Sequence, residues 1–146
     1  MASEDLPAVI DLYRTANLFA HKKDIRTWTA RGLERFPSLH LVAEDSERIV
    51  GAISATLQKR AMMQIEDVAV SADRRNTGVG SRLMKELLRR AGKNDVCKIV
   101  LWVHWRNAQA IPFYYRHGFK LSRVVQTRNI SFVPNGEDVI VMKKSL

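Results

Sequence analysis

The 146-residue chain has a single cysteine, Cys97, so it can form no internal disulfide and assemble no cysteine-based metal cluster. That thiol stands at the head of an apolar run and is expected to be buried and inert. Long apolar runs are missing. None approaches the roughly 20 residues that span a bilayer, and the N-terminus has no signal-peptide core. The expectation is a soluble cytoplasmic protein without membrane contact. Glycine (7) and proline (4) are sparse, and no linker, repeat or low-complexity stretch interrupts the chain. One domain over residues 1–146, with chain enough for a real core, is expected. Acidic residues are few: 15 Asp and Glu against 24 Lys and Arg leave a net charge of +9. Such an excess asks for an anionic partner. The basic residues are spread rather than blocked and no nucleic-acid motif is visible, so a solvated basic surface is expected and nucleic acid is not. His21 and His117 lack ligand partners at useful spacing, and no metal is expected.

What is present is organised around Val68 to Ala91. Glu66-Asp67-Val68-Ala69-Val70 reads as the end of a buried strand, and Ser71-Ala72-Asp73 as a turn. Arg75-Asn76-Thr77-Gly78-Val79-Gly80 then opens a helix through Ser81 to Leu88. A helix N-terminus offers unpaired N–H groups and positive potential. Two glycines at i and i+2 remove Cβ atoms that would hold a phosphate off, and Arg74 and Arg75 add charge. This predicts an anion seat, most naturally for a pyrophosphate. It is neither of two better-known seats. Gly80 is followed by Ser81-Arg82 rather than Lys-Ser/Thr, and the third glycine of a dinucleotide fingerprint is missing.

Along the rest of the chain, Ser3 or Asp5 can cap a first helix with Pro7 in its first turn and Leu6, Val9, Ile10, Tyr13 and Leu18 as its apolar stripe. A second helix is expected over Asp24 to Phe36, carrying Ile25, Trp28, Leu33 and Phe36 and stopped by Pro37. His40–Glu44, Ile49–Leu57 and Met62–Val70 read as an antiparallel meander, with Gly51 permitting a bulge or close approach. Lys98–His104 is a nearly continuous apolar run suited to a strand buried on both faces, parallel to the one before the central helix. A helix is expected over Asn107 to His117, capped by Asn107 and stopped by Gly118. Strands over Phe119 to Phe132 and Glu137 to Lys143 flank a hairpin signal, Pro134-Asn135-Gly136. Trp28, Trp102 and Trp105 read as core or cleft wall.

Three features carry a resemblance. Arg75-x-x-Gly78-x-Gly80 follows an apolar strand, Asn107-x-x-Ala110-x-x-x-Tyr114-x-x-x-Gly118-Phe119 follows the second parallel strand, and Glu137 to Lys143 supplies a closing strand. In order and spacing the chain resembles the GCN5-related N-acetyltransferase (GNAT) family from about residue 4 to its end. The resemblance implies a mixed α/β sheet that splays between two parallel central strands, with acyl-CoA in the V. The chain departs from the family by opening at the first helix, without the usual strand before it. That departure would leave a sheet edge that a second subunit could pair, as in a homodimer.

The resemblance implies acetyl-CoA as co-substrate, and CoA's three phosphate groups would answer part of the positive charge. It implies pantetheine against the backbone of Val68, Ala69 and Val70 as an added strand. The pyrophosphate would sit on the N–H groups of Arg75, Asn76, Thr77, Gly78, Val79, Gly80 and Ser81, with Asn107 at the pantetheine arm. Tyr114 matches the family's general acid for the departing thiolate. Glu66 is the candidate base, expected to alternate in phase with Val68 and Val70 on the face that meets acyl-CoA, with Asp67 facing the other way unless a bulge intervenes, and His104 is its rival. The stretch Ile65 to Val70 is similar to its counterpart in polyamine and glucosamine-phosphate acetyltransferases. Trp102 and His104 stand where the subgroup acetylating ribosomal-protein N-termini often has Glu-x-Arg, so that subgroup is not the expectation. The acceptor is a small-molecule or protein amine. The alternative is a non-catalytic acyl-CoA or anion-binding module with a basic surface.

Overall fold

The computed structural model describes residues 1–16, 25–59, 61–126 and 137–146. Leu18, His21, Asp24, Arg60, Phe132 and the Pro134-Asn135-Gly136 signal lie outside them. Helix α1 spans Leu6–Ala16 and α2 Ile25–Arg35. Strands β1 (His40–Asp45), β2 (Arg48–Gln58) and β3 (Met62–Val70) follow, then α3 (Val79–Gly92), β4 (Lys98–His104), α4 (Ile111–Arg116), β5 (Lys120–Gln126) and β6 (Asp138–Ser145). The six strands form one sheet in the order β1-β2-β3-β4-β6-β5. Every pairing is antiparallel except β3 with β4. Among the described residues no strand precedes α1, and β1 lies at an edge of the sheet, where the Met1 ammonium donates to the His40 carbonyl at 3.2 Å.

The two faces bury separate cores. On one, Val79, Leu83, Met84, Leu87 and Ala91 recur at helical spacing along α3 and pack on Leu41, Ile53, Met63 and Ile65. Each of the larger of these side chains, the valine, leucines, isoleucines and methionines, contributes about 1.5–3 kcal/mol by leaving water. On the other, Val9, Ile10, Leu12 and Tyr13 of α1 and Ile25 of α2 pack on Ala52 and Ala69. Gly51 lets α3 approach β2: a Cβ there would stand 2.7 Å from Val79 Cγ1 and 3.0 Å from Leu83 Cδ1. The β1–β2 register shifts beside it, between Ala43 and Glu44.

Several expectations are corrected. The buried side of α2 is Ile25, Thr29, Gly32 and Leu33, whereas Trp28 is 67% exposed. Gly32 is needed because the His40 ring lies 2.7 Å from where its Cβ would be. Trp105 is 47% exposed with the Arg106 guanidinium over its ring. Cys97 is exposed, following the tight turn at Asp95 (φ 53°), with its Sγ 3.7 Å from the Ala61 carbonyl. The helix expected over Asn107–His117 is shorter. Residues Trp105–Ala110 form a 3₁₀ segment broken at Asn107, and α4 begins at Ile111 with Pro112 in its first turn and Ala110, not Asn107, as N-cap. Gly118 takes φ 82° at the C-terminal stop, as expected.

Candidate active site

Strands β3 and β4 share a parallel ladder only from Met62↔Lys98 to Ile65↔Leu101. Beyond it β3 continues along β2 to Val70, and β4 continues along β6 to His104. The two central strands therefore part, and a V opens with Glu66 to Val70 on one wall and Trp102 to His104 on the other. The backbone edge of Val68, Ala69 and Val70 faces this gap rather than a β4 ladder.

At the mouth of the V the chain turns into α3. The Ser71 N–H is held by Val50 O at 2.9 Å, and the Arg74 N–H by Ser71 O at 3.0 Å. Thr77 Oγ1 donates to Arg74 O at 2.6 Å. Asn76 (φ 61°) and Gly78 (φ 87°) adopt left-handed conformations within this tight turn. The first helical bond runs from Arg82 N–H to Gly78 O, so the N–H groups of Val79, Gly80 and Ser81 have no intrahelical partner. The two glycines differ. At Gly78 the left-handed φ excludes most residues and nothing stands within 4 Å of a would-be Cβ. At Gly80 a Cβ would make only ordinary contacts, 3.4 Å from the Phe113 ring and 3.5 Å from Val70 Cγ2. Arg74 does not add charge to the seat: its Nε and Nη2 both bond Asp45 Oδ2, at 2.8 and 2.6 Å. Arg75 reaches back to Val70 O, with Nε at 3.4 Å.

Tyr114 lies on α4, packed edge-on against Phe113 and Phe119 at ring separations of 5.4 and 6.1 Å, on the α3 side of the sheet. Burial, reinforced by the negative charge of Asp67, pushes its phenol up to about 12. Asp67 itself is 8% exposed.

Glu66 is the extra residue of a β-bulge: Ser54 pairs with Asp67 and Ala55 with Ile65. The expected phase with Val68 and Val70 is thereby broken. Glu66 Oε1 accepts from Thr56 Oγ1 at 2.8 Å and Oε2 from Gln64 Nε2 at 3.2 Å. Thr56 and Gln64 are themselves cross-strand partners, and their neighbours Ala55 and Ile65 point into the core under α3. Glu66 thus stands on the α1 face, while Val68 and Val70 pack on the α3 face. Tyr114 and Glu66 flank the sheet from opposite sides.

His104 is engaged at both ring nitrogens. Nδ1 accepts from the Arg106 backbone N–H at 3.2 Å, and Nε2 faces Glu137 Oε2. Glu137 Oε1 also takes Arg106 Nη2 at 2.8 Å. Asn107 is half-buried and its Oδ1 accepts from Gln109 Nε2 at 3.1 Å. His117, which spacing had set aside, joins α4 to α3 through Nε2 and Ser81 Oγ at 3.2 Å. A separate groove of about 680 Å³ between β1 and α3 reaches the loop at Thr77 but includes none of Tyr114, Glu66 or His104. No group of three or more His, Cys, Asp or Glu among the described residues could hold a metal ion, and no helix there is long and apolar enough to cross a membrane.

A mixed sheet that parts between its two parallel strands, with a left-handed glycine loop at the mouth of the gap, defines the acyl-CoA N-acyltransferase class of fold. The chain belongs to the Acetyltransferase (GNAT) family, whose family model matches residues 6–119. It is 28% identical over 138 residues to an uncharacterized N-acetyltransferase of Methanocaldococcus jannaschii, covering 86% of this chain and 61% of that protein. It is 27% identical to the ribosomal protein bS18-alanine N-acetyltransferase of Salmonella typhimurium, covering 97% and 92%. Among solved structures, Arabidopsis thaliana Naa50 in complex with a bisubstrate analogue of CoA is similar, with a TM-score of 0.83 and 27% identity over 100% of this chain and 95% of that one. The chain spans about 61% of the length of the Methanocaldococcus relative.

Proposed function

We propose that this protein is an acetyl-CoA-dependent N-acetyltransferase that passes the acetyl group directly from the thioester to an amine. The parting of β3 and β4 beside the loop before α3 carries the reading. In it, the pyrophosphate rests on the N–H groups of the loop from Arg75 to Ser81. The pantetheine arm lies along the backbone of Val68, Ala69 and Val70 like an added strand and passes Asn107. The acceptor amine reaches the thioester from the α1 face.

The amine must arrive neutral, which costs an alkylammonium of ordinary pKa about 4–5 kcal/mol at pH 7. Glu66, on the α1 face, takes that proton directly or through water. The nitrogen lone pair attacks the carbonyl carbon, the C–S bond breaks, the proton left on the new amide nitrogen passes to water, and the thiolate departs on the α3 face, where Tyr114 stands. A phenol near 12 is protonated at pH 7. Handing its proton outright to a thiolate of ordinary pKa, about 8.5, would cost about 5 kcal/mol. Tyr114 therefore works first as a hydrogen-bond donor to the developing thiolate. His104 is the weaker base candidate, because Glu137 and the Arg106 N–H occupy its two nitrogens. The acceptor is a protein or small-molecule amine. The relative named for a ribosomal-protein alanine favours a protein N-terminus, whereas Trp102 and His104 stand where that subgroup often has Glu-x-Arg.

Titration calorimetry with acetyl-CoA on the parent and on Gly78→Glu tests the reading. The variant projects a negative side chain into the open space at the loop. Gly78→Asn, which tolerates left-handed backbone, controls for folding. Micromolar binding by the parent and at least 100-fold weaker binding by Gly78→Glu are expected. A parent that binds no acetyl-CoA, or a variant that binds as well as the parent, would overturn the cofactor assignment.

A further inference from the structure

The sheet has two edges, and they are built differently. Among the described residues each outer strand has a neighbouring strand on one side only. The outer strand β5 exposes Leu121 and Val124, but it also carries Lys120 and Arg123, and its register shifts at Ser122. Cationic side chains and a bulge are common guards of an edge strand against pairing with another chain. The other outer strand, β1, has neither guard. His40-Leu41-Val42-Ala43-Glu44-Asp45 contains no Lys, Arg or Pro, and the surplus residue in its irregular pairing is Val50, on β2. The hairpin turn after β1 is tight, with Ser46 and Glu47 both left-handed (φ 51° and 63°), so the edge is set before any partner arrives.

The His40 carbonyl points away from β2, because the Met1 ammonium reaches it at the open edge. Outward groups alternate along an antiparallel strand, so the N–H and C=O of Val42 point outward as well. Beside this edge runs the groove of about 680 Å³ between β1 and α3, with Leu41, Val50, Val79 and Leu83 among its apolar lining. Glu44, Asp45 and Glu86 line it together with Arg74, Arg82 and Arg90, three charges of each sign on a chain of net charge +9. Copies of so basic a chain repel one another in general. A patch of balanced sign lets two copies meet with acid against base, and a two-fold axis gives each copy both signs to offer.

We propose that two copies of this chain pair through β1, antiparallel about a two-fold axis at Val42, so that one sheet continues into the other. Outward groups must face outward groups, which restricts the register to steps of two. Pairing about Val42 sets it against the partner's Val42, Leu41 against the partner's Ala43 and His40 against the partner's Glu44. Apolar side chains then meet apolar ones, and the central pair adds two backbone bonds. The next register, about Ala43, would set Leu41 against the partner's Asp45. The two-fold axis also keeps α3 of both copies on the same side of the joined sheet, with their grooves adjacent.

Sedimentation velocity on the full chain tests the pairing, with hydrogen exchange of the Val42 amide measured across the same concentrations. A species of twice the 16.7 kDa mass is expected, with a dissociation constant of about 10 μM or tighter. The Val42 amide should exchange at least about tenfold more slowly in the dimer than in the dilute monomer. Val42→Pro removes an outward N–H that β2 does not use, a change an edge strand tolerates, and should give a folded monomer by circular dichroism. Val42→Lys, which opposes two ammonium groups on the axis, should weaken association at least tenfold and serves if the proline variant does not fold. A parent that stays monomeric at about ten times that dissociation constant would overturn the proposal and leave the edge to a different protein. A dimer that persists in either folded variant, or a Val42 amide that exchanges equally fast in both states, would overturn it by placing the contact elsewhere.

Discussion

The loop before α3 and the V between β3 and β4 adjoin one another, yet they are held by different means. The loop is local. Bonds three positions apart, Thr77 to Arg74 and Arg74 to Ser71, and two left-handed residues set its shape, while Val50 and Asp45 tether its base from far back in the chain. The V depends on pairings between elements: a bulge defined by β2, a carboxylate at Glu66 bonded to Thr56 on the neighbouring strand, and Tyr114 of α4 packed edge-on against Phe119 in the core under α3. Binding should therefore follow the loop and turnover the V, and the two can be separated.

The sharpest separation is Tyr114→Phe. It should lower kcat about 100-fold, within the range for loss of a positioned proton or hydrogen-bond donor, with acetyl-CoA affinity within twofold. Steady-state kinetics beside calorimetry checks this. Unchanged turnover would remove Tyr114 from the chemistry, whereas a parent that binds acetyl-CoA but turns over no amine would favour a non-catalytic acyl-CoA-binding module. Glu66→Gln should cost about tenfold in kcat at pH 7, with the deficit closing as pH rises and more amine arrives neutral. A deficit of constant size across pH would mean that Glu66 only ties Thr56 to Gln64.

Gly51→Ala acts from the other side of the comparison. Its new methyl would press on Val79 and Leu83 at the start of α3. Overpacking of this kind costs about 1–3 kcal/mol, seen as a Tm lowered by several degrees. Because α3 carries the loop, acetyl-CoA should bind more weakly while kcat at saturation holds. A smaller effect concerns alkaline pH. The folded Tyr114 keeps its proton to about 12, whereas an unfolded tyrosine loses it near 10. This contribution to stability is whole below pH 10 and fades as pH climbs toward 12. Urea midpoints at pH 8 and pH 11 should differ less in Tyr114→Phe than in the parent.

The same contrast explains what was legible in the sequence. The strands, α3 and the glycine loop were, because apolar periodicity and left-handed glycines are written into neighbouring residues. Gly51 showed as a permissive site, but that α3 fills the space did not. The phase of Glu66 could not be read, because a bulge depends on which residue of β2 faces which residue of β3. Trp28 misled through its size: the close approach of α2 runs through Thr29 and Gly32, small residues that leave no apolar mark. The helix expected from Asn107 was cut short because Pro112 suits a first turn rather than a helix interior. Arg74 looked like part of the anion seat until Asp45, far back in the sequence, was found to hold it.

The bulge at Glu66 also has an arithmetic meaning. A strand assigns its side chains to two faces by odd and even count, and one surplus residue reverses the assignment for everything on one side of it. Deleting that residue would shorten β3 by one position and, with its upstream register kept, send Val68 and Val70 toward α1 and Asp67 and Ala69 toward α3. The proximal and distal halves of β3 are thus out of step by one, and that offset is what lets a single strand present its carboxylate on the α1 face while keeping its valines in the opposite core.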